Sequence, residues 1–421
     1  MAYKKPDVDF TSSRVTPDGR KSNISMFMVM LGFTFFSASM WAGQSLAAGL
    51  NFGQFIGALL LGGIILGAYT GTLGFIGAKT GLTLDMLAHR SFGRKGSWLP
   101  SAMISFTQMG WFGVGLAMFA IPVAQEVFGL EVTPDHMPPF GYILVAIAGV
   151  LMTASAYFGI KSLTIISWIA VPLVGILGTV AMIMAVRRGD ATLAEQFAKV
   201  NDGSLTIITG AGLVIGSFVS GGTATPNFAR FSKTAKVGFW VTVVAFFLGN
   251  SLMFFFGAVS SIYVGGNDIF QVMLNLNMFM FYFAVLVLGL NIWTTNDNAL
   301  YSSGLGLSNI FGLSKRTMVL IAGIIGTVTA VWLYWNFCGW LNVLNCTLPP
   351  IGAILIISYF MNRNEYESDN VEIKTVNWAS VIGVVLGAVV ANLLKWGIPS
   401  INGMVVAVIC YLVGYAICKR K

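Results

Sequence analysis

Long apolar segments, separated by short polar or Gly/Pro-containing stretches, run along almost the whole chain. A run of eighteen or more apolar residues is long enough to cross a hydrocarbon core of roughly 30 Å as an α-helix. The pattern predicts twelve spanning helices, at residues 26–49, 53–82, 98–127, 140–158, 161–186, 205–224, 236–264, 277–304, 315–334, 337–361, 375–394 and 400–418. Because the runs are continuous and do not alternate in polarity, a membrane β-barrel is excluded.

The composition agrees with this reading. Only 10% of the 421 residues are charged and 56% are hydrophobic, whereas soluble domains carry about 25% charged residues. The sequence contains no HExxH helix, Walker A loop or GxSxG elbow, and its two histidines fall in predicted loops on opposite sides of the membrane. We therefore expect an all-α polytopic membrane protein that is not an enzyme and binds no cofactor.

The charged residues are distributed unevenly between the two sides of the predicted helices. If the N-terminus is cytoplasmic, twenty of the 24 basic residues fall inside and only Arg187, Arg188, Lys199 and Lys395 fall outside. The outer side is acidic, with Glu126, Glu131, Asp135, Asp190, Glu195, Asp202 and Asp268. This asymmetry follows the positive-inside rule and predicts that both termini are cytoplasmic. It also explains the net charge of +8 without nucleic-acid binding.

One carboxylate, Asp297, falls within an apolar span, and a charge at that depth costs at least about 2.5 kcal/mol. It either faces an aqueous path or braces a neighbouring helix. In the same span Asn291, Thr294 and Thr295 recur at i, i+3 and i+4 and so share one helical face. Three oxygen-bearing groups on one face predict ligands for a hard cation such as Na⁺, or else polar contacts between helices.

The first and sixth spans are interrupted by small polar residues. Ser37 and Ser39 interrupt the first span, and Ser217, Ser220 and neighbouring glycines interrupt the sixth, which ends before Pro226. Interrupted helices at equivalent positions of two halves indicate the midplane site of a transporter. In the third span Gln108 and Trp111 lie three residues apart, which suits a planar aromatic ligand that stacks on the indole and pairs with the amide.

Five segments together resemble the nucleobase:cation symporter-1 family of bacterial membrane transporters, over nearly the whole chain. They are TFFSASMW (34–41), GAKTGLT (77–83), SFGRKGSWLP (91–100), GWFGVGLAMFAIP (110–122) and LNIWTTNDNALYSSGLGL (290–307). The resemblance implies a ten-helix core of two inverted five-helix repeats, with discontinuous helices one and six, and two peripheral helices. The expected units are a tail (1–25), the core (26–361, with repeats 26–186 and 205–361), a loop (362–374), helices eleven and twelve (375–418) and the C-terminus (419–421).

The resemblance also implies a substrate site and a cation site. A pyrimidine is expected between Trp111 and Phe218, paired with Gln108, Ser220 and the backbone at Ser37 and Ser217. An asparagine of helix eight, either Asn296 or Asn298, is expected against the ligand. The Na⁺ ligands implied are the carbonyls of Phe36 and Ser39 and the side chains of Asn291, Thr294 and Thr295.

The implied function is import of cytosine, or a close pyrimidine analogue, by cation symport across the bacterial inner membrane. Alternating access needs no covalent chemistry and no obligate protein partner. Na⁺ is the expected coupling ion. The rival is a proton-coupled symporter that uses Asp297 as its proton carrier, and an intramembrane enzyme is a more distant alternative.

Overall fold

The structure is a computed structural model that describes residues 13–158, 160–266, 269–368, 371–394 and 396–419. The predicted tail up to residue 12, residues 369 and 370 of the predicted loop, and the charged residues Asp268, Lys395, Arg420 and Lys421 lie outside the described residues.

The described residues fold into α-helices joined by short connections. The first ten are α1 (Asn23–Thr34), α2 (Ser37–Gly49), α3 (Phe52–Thr80), α4 (Leu84–Phe92), α5 (Trp98–Glu126), α6 (Pro139–Phe158), α7 (Ile160–Val186), α8 (Leu193–Val200), α9 (Ile207–Thr223) and α10 (Pro226–Ala229). The second ten are α11 (Ala235–Val243), α12 (Asn250–Val264), α13 (Ile269–Leu276), α14 (Met278–Phe311), α15 (Lys315–Trp335), α16 (Phe337–Thr347), α17 (Pro349–Met361), α18 (Arg363–Glu367), α19 (Trp378–Leu393) and α20 (Pro399–Lys419).

These helices reproduce the predicted spans. Among the described residues, nine helices are long and apolar enough to cross a membrane, and the bent pair α1–α2 forms a tenth span. The shorter apolar helices α9 and α19 occupy the sixth and eleventh predicted positions, so the twelve-helix prediction is confirmed. Three further helices, α4, α8 and α13, are only 9, 8 and 8 residues long and lie in the connections.

Both interrupted spans are broken in the structure. Helices α1 and α2 meet at an angle of 51° because Phe35 and Phe36 have extended backbone conformations. The Ser/Gly cluster of the sixth span remains helical to Thr223, and the break follows it at residues 224 and 225, before Pro226 begins α10. Proline suits that position because it cannot donate a backbone hydrogen bond and is tolerated in the first turn of a helix.

Small residues allow the helices of the core to approach closely. A Cβ on Gly43 of α2 would collide with the backbone of Phe254 in α12, and one on Gly257 of α12 would collide with Met40 of α2. Helix α3 packs on α9 in the same way that α12 packs on α2. Helices α3 and α9 belong to the second and sixth spans, and α12 and α2 belong to the seventh and first. Each pair therefore corresponds to the other when the two five-helix repeats are superposed, as an inverted repeat requires.

Candidate substrate and cation site

A small cavity lies at the break in the first span. Four helical segments and the break itself meet there: α1, α5, α9 and α14. The lining residues are Phe33, Phe36, Gln108, Trp111, Ser217, Phe218, Gly221, Thr295 and Ala299. The sequence-predicted residues Gln108, Trp111, Ser217 and Phe218 are therefore brought together around one space.

Aromatic rings form the walls of this cavity. The ring of Phe36 meets Trp111 edge-on at 5.8 Å and Phe218 at 6.4 Å between centroids. Phe218 is held in turn by edge contacts with Phe33 and Phe246. Such edge-to-face contacts fix the planes of the rings that line the cavity.

Polar groups converge on one side of the cavity. The Gln108 Nε2 group donates to Ser220 Oγ at 2.8 Å. The Gln108 Oε1 atom is buried and has no hydrogen-bond partner among the described residues, and the same holds for Ser37 Oγ. Because a buried polar atom without a partner is costly, these oxygens are the atoms at which a polar ligand would gain most.

The side chain of Asn291 bridges the break in the first span. The Ser37 N–H donates to Asn291 Oδ1 at 3.1 Å, and Asn291 Nδ2 donates to the Phe35 carbonyl. The Thr294 hydroxyl donates to the Gly32 carbonyl at 2.9 Å, and Thr295 Oγ1 lies 3.5 Å from the same oxygen. The polar face predicted for the eighth span, which is α14, thus lies directly against the break.

The backbone carbonyls that face α14 lie about one helical turn before the two that the sequence analysis expected. The Phe36 carbonyl accepts from the Ser39 N–H at 3.0 Å within the first turn of α2. Ser39 contacts α12 of the seventh span, because its hydroxyl donates to Asn250 Oδ1 at 2.6 Å. The carbonyls that meet α14 are those of Gly32 and Phe35, which replace the carbonyls of Phe36 and Ser39 in the candidate cation site.

Asn250 is a site residue that the sequence reasoning missed. It follows a π-helical segment, Val244–Gly249, in the seventh span, and such segments frequently mark functional positions. Its Nδ2 group donates to Ser217 Oγ at 3.1 Å while its Oδ1 accepts from Ser39. A lone asparagine within an otherwise apolar run was the available signal.

The remaining polar residues of the eighth span, α14, are not among those that line the cavity. Asn296 donates to the Phe112 carbonyl at 3.2 Å, and Asn298 donates to the Thr294 carbonyl of its own helix at 2.8 Å. Thr295 and Ala299 are the α14 residues that line the cavity. We therefore do not carry Asn296 and Asn298 into the substrate site. Asp297 is buried and accepts from Ser155 of α6 at 2.5 Å, which lies on yet another face.

Aromatic stacking covers one end of the cavity. Trp41 of α2 stacks on Phe337 at 4.9 Å with an interplanar angle of 7°. Phe337 also meets Trp111 edge-on at 5.9 Å. The break at Asn336, between α15 and α16, places Phe337 over the site. This end is therefore closed by side chains of the first and tenth spans.

A buried polar cluster closes the opposite end, beside the N-terminal segment. Arg230, which follows α10, is fully buried, and its Nη2 group donates to Tyr301 Oη of α14 at 3.0 Å. The side chain of Asn227 accepts from the Leu84 N–H at 2.8 Å and so joins α10 to α4. Asp85, the next residue of α4, accepts from Ser101 of α5. Four helices are thereby locked together below the cavity.

Burial in this cluster raises the pKa of Asp85 to about 6, against the opposing effect of its Ser101 hydrogen bond and of Arg230. Because the folded pKa exceeds the unfolded one, the stabilisation is complete below the unfolded pKa and is lost as the pH rises through about 6. We therefore expect the Asp85 carboxyl to stabilise the folded protein more at pH 5 than at pH 7.5. The Asp85 contribution is at most about 3 kcal/mol.

Asp85→Asn isolates this contribution, because burial lowers the pKa of His89 on the same helix and so gives a pH dependence of the opposite sign. At pH 7.5 the variant should be more stable than the wild type, and the difference should be smaller at pH 5. Asp202→Asn, at an exposed carboxylate, serves as the matched control. Equal pH profiles for wild type and Asp85→Asn would contradict the assignment.

Comparison with known proteins agrees with this geometry. Residues 14–417 match the family described as permease for cytosine/purines, uracil, thiamine, allantoin. The chain is 47% identical over 416 residues to the cytosine permeases of Escherichia coli K12 and O157:H7, covering 99% of this chain and 96% of each relative. The chain belongs to this family of permeases. The family is one of permeases, so the protein is a membrane transporter and not an enzyme, and the expected family is confirmed.

Solved structures share the fold of this permease. Mhp1, a nucleobase-cation-symport-1 family transporter, superposes with a TM-score of 0.80 at 18% identity in a closed conformation with bromovinylhydantoin bound, covering 98% of this chain and 95% of that one. Its inward-facing conformation gives 0.78, with coverage of 99% and 94%. A Na⁺-coupled sialic acid symporter gives 0.70 at 13% identity, with coverage of 97% and 94%. At these identities the likeness shows the fold.

Proposed function

We propose that this permease imports cytosine together with Na⁺. The observation that supports this proposal best is the contact between two sites. An oxygen-rich cluster at the break of the first span adjoins an aromatic cavity, and Phe36 and Thr295 border both. Binding of a cation at the break can therefore change the shape of the cavity directly, as coupled transport requires.

The proposed Na⁺ ligands are oxygens of two helices. They are the carbonyls of Gly32 and Phe35 and the side-chain oxygens of Asn291, Thr294 and Thr295. Hard cations prefer carbonyl, amide and hydroxyl oxygens of this kind. In the described structure the Thr294 and Thr295 hydroxyls lie 2.9 and 3.5 Å from the Gly32 carbonyl, so a small displacement would open a cage. Na⁺ would then replace hydrogen bonds that hold α1 against α14.

The proposed cytosine site uses the cavity walls and their polar groups. The ring would stack between Trp111 and Phe218, while Gln108 and Ser220 pair with its polar edge. Ser217 lines the same cavity. Ser37 follows the lining residue Phe36 and has a hydroxyl without a partner among the described residues. The relatives that are 47% identical are named cytosine permeases, which supports cytosine over other nucleobases.

The proposed transport cycle alternates between the two closed ends of the cavity. The Trp41–Phe337 stack would separate to admit substrate, and the Arg230–Tyr301 contact would separate to release it. In this proposal both termini are cytoplasmic and the protein lies in the bacterial inner membrane. The ten-helix core (26–361) would transport, with the loop 362–374 and the last two spans peripheral. The inward-negative potential would add about 2.3 kcal/mol per charge per 100 mV.

The rival coupling ion is H⁺ carried by Asp297. The structure favours Na⁺ because Asp297 hydrogen bonds to Ser155, whose hydroxyl also accepts from Trp293 at 2.6 Å. This small network joins α14 to α6 and does not contact the break in the first span. The binding of cytosine should therefore respond to Na⁺ in preference to pH.

Thermal stabilisation of the purified protein tests this directly. Cytosine should raise the melting temperature in NaCl and far less in KCl at equal ionic strength. A specific ligand at one hundred times its dissociation constant contributes about 2.7 kcal/mol to stability. Equal stabilisation by cytosine in the two salts would contradict coupled binding, and no stabilisation in either would contradict the cytosine assignment.

A further inference from the structure

Three side chains form a hydrogen-bonded series beside the cavity, from Thr107 through Ser220 to Gln108. Thr107 Oγ1 lies 3.0 Å from the Ile104 carbonyl and 2.8 Å from Ser220 Oγ. Ser220 Oγ lies 2.8 Å from Gln108 Nε2. All three side chains are buried. Thr107 does not line the cavity, so it acts on a ligand only through its two neighbours.

The direction of this series is fixed at its far end. A backbone carbonyl can only accept, so the single hydroxyl proton of Thr107 goes to Ile104. Ser220 therefore donates its own proton to Thr107. The Ser220 oxygen is then left as an acceptor, and it receives the Gln108 Nε2 group. The amide of Gln108 is thereby oriented with its nitrogen on Ser220 and its oxygen toward the cavity.

The other end of the series is incomplete in a way that indicates a ligand. Gln108 Oε1 is buried and has no partner among the described residues, although its residue lines the cavity. A side-chain amide has two N–H donors, so Nε2 keeps one N–H beyond the one used by Ser220. The Gln108 amide thus presents a hydrogen-bond acceptor and a hydrogen-bond donor side by side to the cavity.

We propose that Thr107 is a positioning residue that sets the nucleobase selectivity of the site by fixing the orientation of the Gln108 amide. Cytosine carries an amino donor at the ring position where uracil carries a carbonyl acceptor. An amide oxygen held toward that position accepts from the amino group of cytosine and repels the carbonyl of uracil. This inference rests on the proposed function, since it assumes that a nucleobase occupies the cavity.

Thr107→Val tests the proposal because it keeps the shape and removes the hydroxyl. Ser220 then loses its acceptor, and Gln108 Oε1 is the side-chain oxygen beside it to which it can donate instead. The amide turns over and presents Nε2 to the cavity. We expect the KM for cytosine to rise about tenfold or more, and uracil to compete about tenfold better relative to cytosine. The Na⁺ dependence should not change, because the cation site lies on α1 and α14.

Controls separate this role from a general packing role. Thr107→Ser keeps the hydroxyl and should restore the selectivity of the wild type. Thr179→Val removes a hydroxyl that bonds only its own helix, at the Gly175 carbonyl, and should leave uptake unaltered. Ser220→Ala breaks the same series at its middle, and should relax the cytosine-to-uracil preference in the same direction even if Thr107→Val does not fold.

The measurement is competition of unlabelled uracil against radiolabelled cytosine uptake in proteoliposomes. Relaxed selectivity in Thr107→Val and Ser220→Ala, with rescue in Thr107→Ser, is the expected result. Selectivity and KM equal to those of the wild type in Thr107→Val would overturn the proposal, as would the same loss in Thr107→Ser. A wild-type protein that takes up no cytosine would instead overturn the proposed function, before any variant is compared.

Discussion

Trp111→Ala is expected to abolish measurable cytosine uptake while the protein remains folded and inserted. Trp111 forms one wall of the cavity, and its position is set by edge contacts with Phe36 and Phe337. Stacking of a base on an aromatic side chain contributes about 1–3 kcal/mol, and the truncation also widens a small cavity. Together these effects lower the affinity for cytosine by a factor on the order of one hundred or more. Radiolabelled uptake at a fixed Na⁺ gradient measures the loss.

Two further variants serve as controls for that result. Trp111→Phe keeps a stacking surface and should retain part of the uptake. Trp332→Ala removes an indole of α15 that is 66% exposed at the outside of the bundle, and it should transport like the wild type. Uptake by Trp111→Ala with the KM of the wild type would contradict the stacking site.

Asn291→Ala is expected to remove the Na⁺ dependence of cytosine binding. Asn291 is the side chain that contacts both sides of the break, through the Ser37 N–H and the Phe35 carbonyl. Its loss removes one cation ligand and the link between the first and eighth spans. Interactions of this kind with a charged group contribute about 1.5–3 kcal/mol, so the apparent Na⁺ affinity should fall roughly ten- to a hundredfold. Cytosine-induced thermal stabilisation measured across a NaCl titration reports it.

The matched control for this prediction is Asn392→Ala. Asn392 of α19 is exposed and donates to the Ala388 carbonyl of its own helix, so its removal should leave the Na⁺ response unchanged. Thr294→Val should give a smaller loss in the same direction as Asn291→Ala. An unaltered Na⁺ titration in Asn291→Ala would exclude this residue from the cation site.

Much of the architecture was predictable because hydrophobic run length determines the spans of a membrane protein. The polar face of Asn291, Thr294 and Thr295 was predictable too, since their spacing alone places them on one side of a helix. The short helix α4 was not predicted, because its Thr83-capped, half-polar sequence produces no long apolar run. Its role in closing the cavity depends on contacts with α10 that no local pattern reveals.

Two details of the site depended on the rotation of helices about their axes. The carbonyls that form the candidate cation site depend on where the side chains of α14 meet the first span. Asn291 contacts the Phe35 carbonyl and Thr294 contacts the Gly32 carbonyl, in place of the expected carbonyls of Phe36 and Ser39. Asn296 lies one residue, or about 100° of rotation, from the cavity-lining Thr295, and so it packs on Phe112. The burial of Arg230 depends on a contact between distant segments, since its guanidinium donates to Tyr301 of α14 as well as to the Asn227 carbonyl of the adjacent α10.

The central claim is that a Na⁺ gradient drives cytosine through this cavity. Purified protein in proteoliposomes, loaded with K⁺ and diluted into Na⁺ medium at equal pH on both sides, should accumulate radiolabelled cytosine above equilibrium. A pH gradient imposed without Na⁺ should drive no accumulation, and Asp297→Asn should retain the Na⁺-driven uptake. Accumulation that follows the pH gradient, ignores Na⁺ and disappears in Asp297→Asn would contradict the account and establish proton coupling in its place.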